Sequence, residues 1–440
     1  MDRASELARS LAAGLEQAIA RATPVGMRGR VSQAVGMLVH ATGIQAHVGE
    51  LCELATPGEP PLLAEVVGFQ QNTAILTPLG PTTGISALTE VLPSGRGHVC
   101  PVGPGLRGRV LNAMGEPIDG RGELQVQAWL PAQREPVDPL ARRLIERPLA
   151  TGIRAIDGLL TLGEGQRIGV FSPPGIGKST LLGMLARGSS ADVNVIALIG
   201  ERGREVREFI EHSLGPEGLA KTVMVVSTSD RAPMERIKSA YVATAIAEHF
   251  REQGQSVLLL VDSLTRFARA QREIGLASGE PPTRRSYPPS IFSMLPQLLE
   301  RAGQGERGAI TAIYSVLTEG DEDNDPISEE VRSILDGHIV LSRKLASAGH
   351  FPAIDVLASV SRVMPQVVSA EHQAAAMRVR ALLAKYQEME LLVQIGEYES
   401  GRDELADRAI AARSALQFFL AQAPHALQGF DQTVAAVCRY

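Results

Sequence analysis

A single run of residues limits the possible folds of this chain more than any other. It is QRIGVFSPPGIGKSTLLGMLARG, residues 166–188, in which a β-rich stretch, a glycine-containing loop and a helical stretch follow one another. Phosphate-binding loops require this order. Residues 172–179 also match the pattern Gly-x-x-x-x-Gly-Lys-Ser/Thr except at its first position, where Ser172 replaces glycine. The sequence therefore predicts a strand, a phosphate-binding loop and a helix.

The loop must offer phosphate oxygens a row of backbone N–H groups at a helix N-terminus. Proline has no N–H group, so the amides that follow the two prolines must bind the phosphates, while Lys178 reaches the β- and γ-phosphates and the Ser179 hydroxyl faces Mg²⁺. The predicted nucleotide-binding residues of the loop are Ser172, Pro173, Pro174, Gly175, Ile176, Gly177, Lys178, Ser179 and Thr180.

Two further apolar runs end in charged residues. The run SVLLLVD ends at Asp262, and a carboxylate at the carboxyl end of a buried parallel strand suits a residue that holds Mg²⁺ through water. The run VNVIALIG is followed by Glu201 and Arg202, which can face the same crevice: the carboxylate to polarise water, the guanidinium to balance charge. We expect Arg204, Arg207 and Glu208 to lie on a solvated helix face.

The pattern along the chain predicts an α/β fold with a P-loop NTPase core, a mostly parallel sheet flanked by helices. Short β-rich runs before this core, at 30–35, 46–51, 62–68 and 73–76, predict a small N-terminal β-barrel. Helical periodicity after the core predicts a helical C-terminal domain. The expected segments are an amphipathic helix at 1–22, the barrel at 23–95, a linker at 96–148, the ATPase core at 149–365 and the helical domain at 366–440.

Composition excludes several functional classes. The net charge is −6 and aromatic residues make up 4% of the chain, so we expect no nucleic-acid partner. The three cysteines have no zinc-binding spacing, which favours a reducing, cytosolic compartment. We expect no membrane-spanning segment. Residues 1–22 form either a helix docked on its own domain or one that contacts a membrane surface or a partner protein.

Several longer runs carry a family resemblance. They are LIGERGREVREFIE, VDSLTRFARAQREIG, GEPPTRRSYPPSIFSMLPQLLERAG, ILDGHIVLSRKLA and HFPAIDVLASVSRVM. With them the chain resembles the hexameric ATPase of bacterial type III protein secretion, a relative of the catalytic beta subunit of rotary ATP synthases. The resemblance extends over about residues 29–413. It implies Mg²⁺-dependent ATP hydrolysis by a homohexameric ring that releases chaperones from export substrates and unfolds those substrates.

The resemblance also implies roles for individual residues. Glu201 corresponds to the catalytic glutamate of the GER motif and Arg202 to the arginine near the γ-phosphate. Because Glu201 is not the glutamine of non-catalytic subunits, we expect hydrolysis. Arg362 matches the arginine finger that reaches a neighbouring subunit's site. Phe351 matches an aromatic residue that lies against adenine, with a core phenylalanine as the alternative.

The implied partners are central-stalk and stator proteins and chaperone–effector complexes, at the cytoplasmic face of the inner membrane. Asp321–Asp325 resembles a pore-facing loop, with a merely solvated loop as the alternative, and residues 403–407 resemble the acidic segment that touches the stalk. ARAQREIG and LLVQIGEYESG favour the injectisome branch. The alternatives are a flagellar-export or proton-coupled rotary subunit, an RNA-translocating helicase, or a non-catalytic ring subunit.

Overall fold

Short strands between glycine turns form the first part of the described chain. The computed structural model describes residues 28–318 and 325–440, which divide into two compact units after Gly97. The strands of the first unit are β1 (Gly29–Val35), β2 (Leu38–Thr42), β3 (Glu50–Ala55), β4 (Leu62–Gln70), β5 (Thr73–Pro78) and β6 (Glu90–Gly97). They pair antiparallel and close into a barrel in the order β1-β2-β5-β4-β3-β6.

Apolar residues that alternate along these strands fill the barrel. The buried interior consists of Val31, Val39, Ala41, Cys52, Leu54, Ala64, Val66, Ala74, Leu76 and Val91. The sequence predicted a strand at 46–51, whereas the structure has β2 before it and β3 from Glu50 onward. The barrel itself is as predicted.

The second unit contains the strands β7 (Val99–Val102), β8 (Val110–Leu111), β9 (Ala128–Pro131), β10 (Pro148–Leu149), β11 (Leu162–Gly163), β12 (Arg167–Ser172), β13 (Val193–Glu201), β14 (Thr222–Thr228), β15 (Ser256–Asp262), β16 (Gly303–Gln304), β17 (Ala309–Leu317), β18 (Gly337–Leu341) and β19 (Ile354–Ser361). Its main sheet has the order β19-β18-β12-β17-β15-β13-β14-β8, with β16 paired to β17. From β18 to β8 every pairing is parallel, and β19 runs antiparallel to β18. The carboxyl ends of β12, β13 and β15 therefore meet at one edge.

Helices pack around this sheet. The α-helices are Arg154–Leu159, Lys178–Gly188, Gly203–Glu208, Gly215–Ala220, Pro233–Glu252, Leu264–Ala277, Pro289–Leu299, Pro326–Ile334, Arg343–Ser347, Met364–Val367, Ala370–Gln394, Glu404–Leu420 and Phe430–Val437. Buried residues of the last three helices, such as Val379 and Phe419, belong to the same apolar cluster as Ile168 and Val170 of β12. The C-terminal helices thus pack on the core, and the expected α/β fold class is confirmed.

The segment expected as a linker, 96–148, contributes β7 to β9, and β8 forms an edge of the main sheet. A buried ion pair fixes part of it. The side chains of Arg301 and Glu248 are each 1% exposed and share two hydrogen bonds of 2.8 and 2.7 Å. Arg301 also donates to the carbonyl oxygen of Ala132 at 2.8 Å. These bonds satisfy the buried guanidinium and carboxylate.

Two expected features lie outside the described residues: the amphipathic helix at 1–22 and the acidic loop, of which only Asp325 is described. In the described ranges, no helix is both long enough and apolar enough to cross a membrane.

Candidate active site

The phosphate loop follows β12 directly. Ser172 is the last residue of this strand, and Gly177 precedes the helix Lys178–Gly188. Gly175 and Gly177 have φ values of +79° and +90°, a conformation that residues with a Cβ atom rarely adopt. Because Ser172 is extended strand backbone, the position where the motif usually has glycine needs no glycine here. The loop therefore turns at its glycines and leaves the first N–H groups of the helix free for an anion.

Lys178, Asp262 and Glu201 meet at this edge of the sheet. The Lys178 Nζ atom forms an ion pair with Asp262 Oδ1 and lies 3.9 Å from Glu201 Oε1. Asp262 is 2% exposed and accepts a hydrogen bond of 2.6 Å from the Ser315 hydroxyl. The structure thus brings together three of the predicted catalytic and metal-binding residues.

Glu201 is surrounded by groups of both charges. Arg266 Nη2 lies 3.2 Å from Glu201 Oε2, and its Nη1 donates to the carbonyl oxygen of Gly200. Burial, then the charge of Asp262 and a hydrogen bond with Glu205, raise the pKa of Glu201 to about 7, against the opposing charges of Lys178 and Arg266. The same hydrogen bond lowers the pKa of Glu205. Glu201 can therefore exchange a proton near neutral pH, as a general base must.

Arg202 points away from this cluster. Its side chain is 73% exposed, and its Nη1 donates to Glu205 at 2.8 Å. Glu201 ends β13 and Arg202 is extended backbone, so successive side chains point to opposite sides. The structure therefore does not bring Arg202 to the phosphate loop. The exposed pairs Arg204–Glu208 and Arg207–Glu211, at 2.7 and 2.8 Å, confirm the predicted solvated helix face.

Arg362 lies at the opposite edge of the sheet. It follows β19, whose last residue, Ser361, is paired with Gly337 at the start of β18. Its backbone N–H donates to the Asp336 carbonyl oxygen at 3.1 Å, beside the first residue of β12. The phosphate loop begins at the other end of β12, about 16 Å away at roughly 3.3 Å per residue. Arg362 therefore lies at the amino ends of the parallel strands, at the end of the sheet opposite its own chain's phosphate loop.

Phe351 lies beside the phosphate loop. A Cβ atom placed on Gly177 would be 3.5 Å from two carbons of the Phe351 ring. The residue is 44% exposed, so it is not a core phenylalanine. Its carbonyl oxygen accepts a hydrogen bond of 2.8 Å from the backbone of Gln422. This ring is available to stack on a base next to the loop.

The chemistry of the donors fits the predicted cation. Asp262 is a buried carboxylate that already pairs with one cation, Lys178, and the exposed residue Ser179 lies in the first turn of the adjoining helix. Mg²⁺ prefers such oxygen ligands and keeps several waters. No group of three or more histidine, cysteine, aspartate or glutamate side chains in the described ranges forms an all-protein metal site. One carboxylate, one hydroxyl and the substrate's phosphates would supply oxygen ligands for such a cation.

Two residues of the site, Arg266 and Glu205, were missed by sequence analysis. Arg266 lies four residues after Asp262, in the first turn of the helix Leu264–Ala277. Its position just after a strand that ends at the carboxyl edge of the sheet could have indicated that Arg266 belongs to the site. The contact between Glu201 and Glu205 depends on where the helix Gly203–Glu208 begins, which the charge pattern does not specify.

Family models match three segments of the chain. Residues 31–95 match the beta-barrel domain of the ATP synthase alpha/beta family, 152–361 its nucleotide-binding domain, and 368–439 the C-terminal domain of the T3SS EscN ATPase. The fold and the site thus define an ATP-hydrolysing enzyme of the ATP synthase alpha/beta class.

Individual relatives narrow this class. The chain is 57% identical to a type 3 secretion system ATPase of Xanthomonas euvesicatoria, over 93% of each chain. It is 50% identical to a flagellum-specific ATP synthase of Treponema pallidum, over 96% of this chain and 95% of that one. A structure of the assembled ATPase EscN with its central stalk EscO, from enteropathogenic Escherichia coli, has a TM-score of 0.87 at 46% identity and covers 93% of this chain and 99% of EscN. The chain belongs to the type III secretion system ATPase family.

Proposed function

We propose that this chain forms a homohexameric ring that hydrolyses Mg²⁺-ATP and energises type III secretion. The observation that carries the proposal is the cluster of Lys178, Glu201 and Asp262 beside the phosphate loop. The loop binds anions, Asp262 is a ligand for a cation, and Glu201 is a carboxylate that titrates near neutral pH. These groups are the parts that phosphoryl transfer needs.

The chemical step follows from their positions. On ATP binding, the Lys178 ammonium leaves Asp262 for the β- and γ-phosphate oxygens. Asp262 and Ser179 would then hold Mg²⁺, which would supply positive charge to neutralise the phosphates. A Glu201 carboxylate oxygen accepts a proton from the attacking water as the water oxygen bonds to the γ-phosphorus. The bond to the β-phosphate oxygen then breaks, which yields ADP and inorganic phosphate. Arg266 holds Glu201 in place.

Arg362 completes the site of the neighbouring subunit. Its position at the amino-terminal end of β12 places it about 16 Å of strand away from its own loop, so a second copy must receive it. The two ends of the parallel strands then face opposite neighbours, a head-to-tail contact that forms a ring when the rotation between subunits closes. We propose that Arg202 contributes charge near the γ-phosphate only after a rearrangement that breaks its pair with Glu205.

The helical tip formed by residues 391–407 is proposed to contact the central stalk, as EscN binds EscO. Two of its carboxylates are used internally: Asp403 pairs with Lys385 at 2.9 Å, and Asp407 accepts hydrogen bonds from Tyr398 and the backbone of Gly401 at 2.8 Å. The exposed large apolar residues there are Leu391, Leu392, Ile395 and Leu405. The stalk is therefore expected to contact these apolar side chains rather than Asp403 or Asp407.

We propose that the ring works at the cytoplasmic face of the inner membrane. Its proposed partners there are stator proteins and chaperone–effector complexes. The proposed work is chaperone release and substrate unfolding, and the support is the family resemblance. The flagellar relative at 50% identity keeps flagellar export as the second candidate. Its chemistry at this site would be the same and its partners would differ. The ATPase gene of an injectisome system and that of a flagellar system can each be replaced by the gene for this chain. Secretion measured in each system then separates the two candidates.

Hydrolysis measured against protein concentration tests the shared site. We expect specific activity to rise with concentration, and an equimolar mixture of Arg362→Ala and Lys178→Ala to recover turnover that neither variant has alone. Glu201→Gln should bind ATP but lose turnover, because the amide cannot accept a proton. Activity that is independent of concentration and survives Arg362→Ala refutes the shared site, and normal turnover by Glu201→Gln refutes the role of Glu201.

A further inference from the structure

Arg362 is held by the residues that precede β18. Its backbone N–H donates to the Asp336 carbonyl oxygen at 3.1 Å, and its Nη1 donates to the Leu335 carbonyl oxygen at 3.3 Å. The Asp336 carbonyl oxygen also accepts a hydrogen bond from Gln166 Nε2 at 3.2 Å. The backbone and the guanidinium of Arg362 thus depend on the two consecutive peptide groups on either side of the Asp336 Cα atom.

The Asp336 carboxylate is in turn clamped by Arg167. It accepts hydrogen bonds from the backbone N–H, Nε and Nη2 of Arg167 at 3.0, 3.2 and 3.4 Å. The Asp336 N–H donates back to the Arg167 carbonyl oxygen at 2.9 Å. Arg167 Nη1 also lies 2.5 Å from Glu300 Oε1. Charge-assisted, multidentate contacts of this kind fix geometry as well as add energy.

Gly337, the residue after Asp336, lies where there is no room for a side chain. A Cβ atom on Gly337 would lie 2.4 Å from the Val360 carbonyl oxygen and 3.2 Å from the Ser361 Cα atom. Both are backbone atoms of β19, which cannot give way without moving the end of the strand. The close approach at Gly337 therefore sets the position from which Arg362 leaves β19.

We propose that Arg167 and Asp336 are positioning residues for Arg362: the ion pair between them places the Arg362 guanidinium in the neighbouring subunit's ATP site. This inference rests on the proposed shared site. An arginine finger contributes about 10³- to 10⁵-fold to turnover, and a misplacement of about 1 Å costs roughly 10²-fold. Loss of the clamp therefore costs turnover in the neighbour without removing any group that binds nucleotide.

Mixed rings isolate this effect. The acceptor subunit carries Arg362→Ala, and the donor carries Lys178→Ala, so turnover arises only where a donor's Arg362 serves an acceptor's site. The donor is then given a second substitution, Asp336→Asn or Arg167→Lys. Asp431→Asn, at an exposed aspartate of the helix Phe430–Val437, is the matched carboxylate-to-amide control. Ring number is measured by sedimentation in every mixture, together with kcat and KM for ATP.

With Asp336→Asn or Arg167→Lys in the donor, we expect kcat per ring to fall at least about ten-fold and KM to stay unchanged, while Asp431→Asn donors match the parent donor. Unchanged kcat per ring overturns the proposal, as does a loss of turnover fully accounted for by fewer rings. If the parent mixture itself shows no turnover, the shared site of the proposed function has failed instead.

Discussion

Replacing Glu205 by glutamine should move the pH profile of hydrolysis toward acid. In the structure the hydrogen bond between Glu201 and Glu205 raises the pKa of Glu201. Glutamine removes the negative charge, and its amide can donate to the ionised Glu201 carboxylate, which favours ionisation. The base must be ionised to accept a proton, so wild-type activity is lost as the pH falls through about 7 and the variant retains activity at lower pH.

The Glu205→Gln substitution should move the acid midpoint by about one pH unit. A hydrogen bond to a charged group contributes roughly 1.5 kcal/mol, which corresponds to about one pH unit. At pH 6 a carboxyl with a pKa of about 7 is ~10% ionised, and one titrating a unit lower is ~50% ionised. Relative to each enzyme's alkaline plateau, kcat/KM at pH 6 should therefore be about five-fold higher in Glu205→Gln.

The assay is kcat/KM for Mg²⁺-ATP from pH 5.5 to 9, because this parameter reports the free enzyme. The substrate's own titration is common to all variants and cancels in the comparison. Glu208→Gln is the control, since Glu208 is an exposed carboxylate on the same helix and pairs with Arg204. An acid midpoint that is the same in wild type and Glu205→Gln would refute the reasoning, as would an equal shift in Glu208→Gln.

Three other predictions concern stability and nucleotide binding. Glu248→Gln should lower the free energy of unfolding in urea by about 3 kcal/mol, because Arg301 is left as a buried unpaired charge; a loss below about 1 kcal/mol contradicts this. Burial, then the charge of Lys238, lowers the pKa of His98 to about 3. Below pH 6.5 the unfolded chain therefore binds a proton that the folded chain does not, and stability falls by up to ~1.4 kcal/mol per pH unit. His98→Phe should flatten this dependence in acid-range urea titrations, and an unchanged slope would count against it. Phe351→Ala should raise KM for ATP several-fold with little change in kcat, which steady-state kinetics can check.

The sequence predicted the core elements because their patterns are local. A buried run followed by the phosphate loop specifies β12 and its helix, and uniformly apolar runs ending in Glu201 and Asp262 specify β13 and β15 as neighbours at one edge. In the barrel, strand limits were harder to predict, since β2 and β3 are only five and six residues long and residues 43–49 between them include apolar residues as well as glycines.

Side-chain partners depend on geometry that the pattern does not contain. Arg266 reaches Glu201 from the helix after β15 because β13 and β15 pair in parallel with Leu198 opposite Asp262. A shift of one residue would turn that end of the strand to the other face. The same alternation separates Arg202 from Glu201, although the two are adjacent in sequence. Residue types and their spacing predicted that Lys178, Glu201 and Asp262 lie together. The strand register determines that Arg266 joins this cluster and that Arg202 does not.

The strand β12 has a consequence for how the sites of a ring communicate. One end of this six-residue strand leads into the subunit's own phosphate loop, and the other end carries Arg167, which binds Asp336 next to the backbone contacts of Arg362. A displacement of the strand along its axis moves both ends together. In the proposed ring, β12 would thus couple each ATP site to the site of one neighbour. Coupling free energies are reciprocal. In such a ring, the interaction of Arg362 with the next subunit's site must therefore also affect nucleotide binding at its own subunit's site.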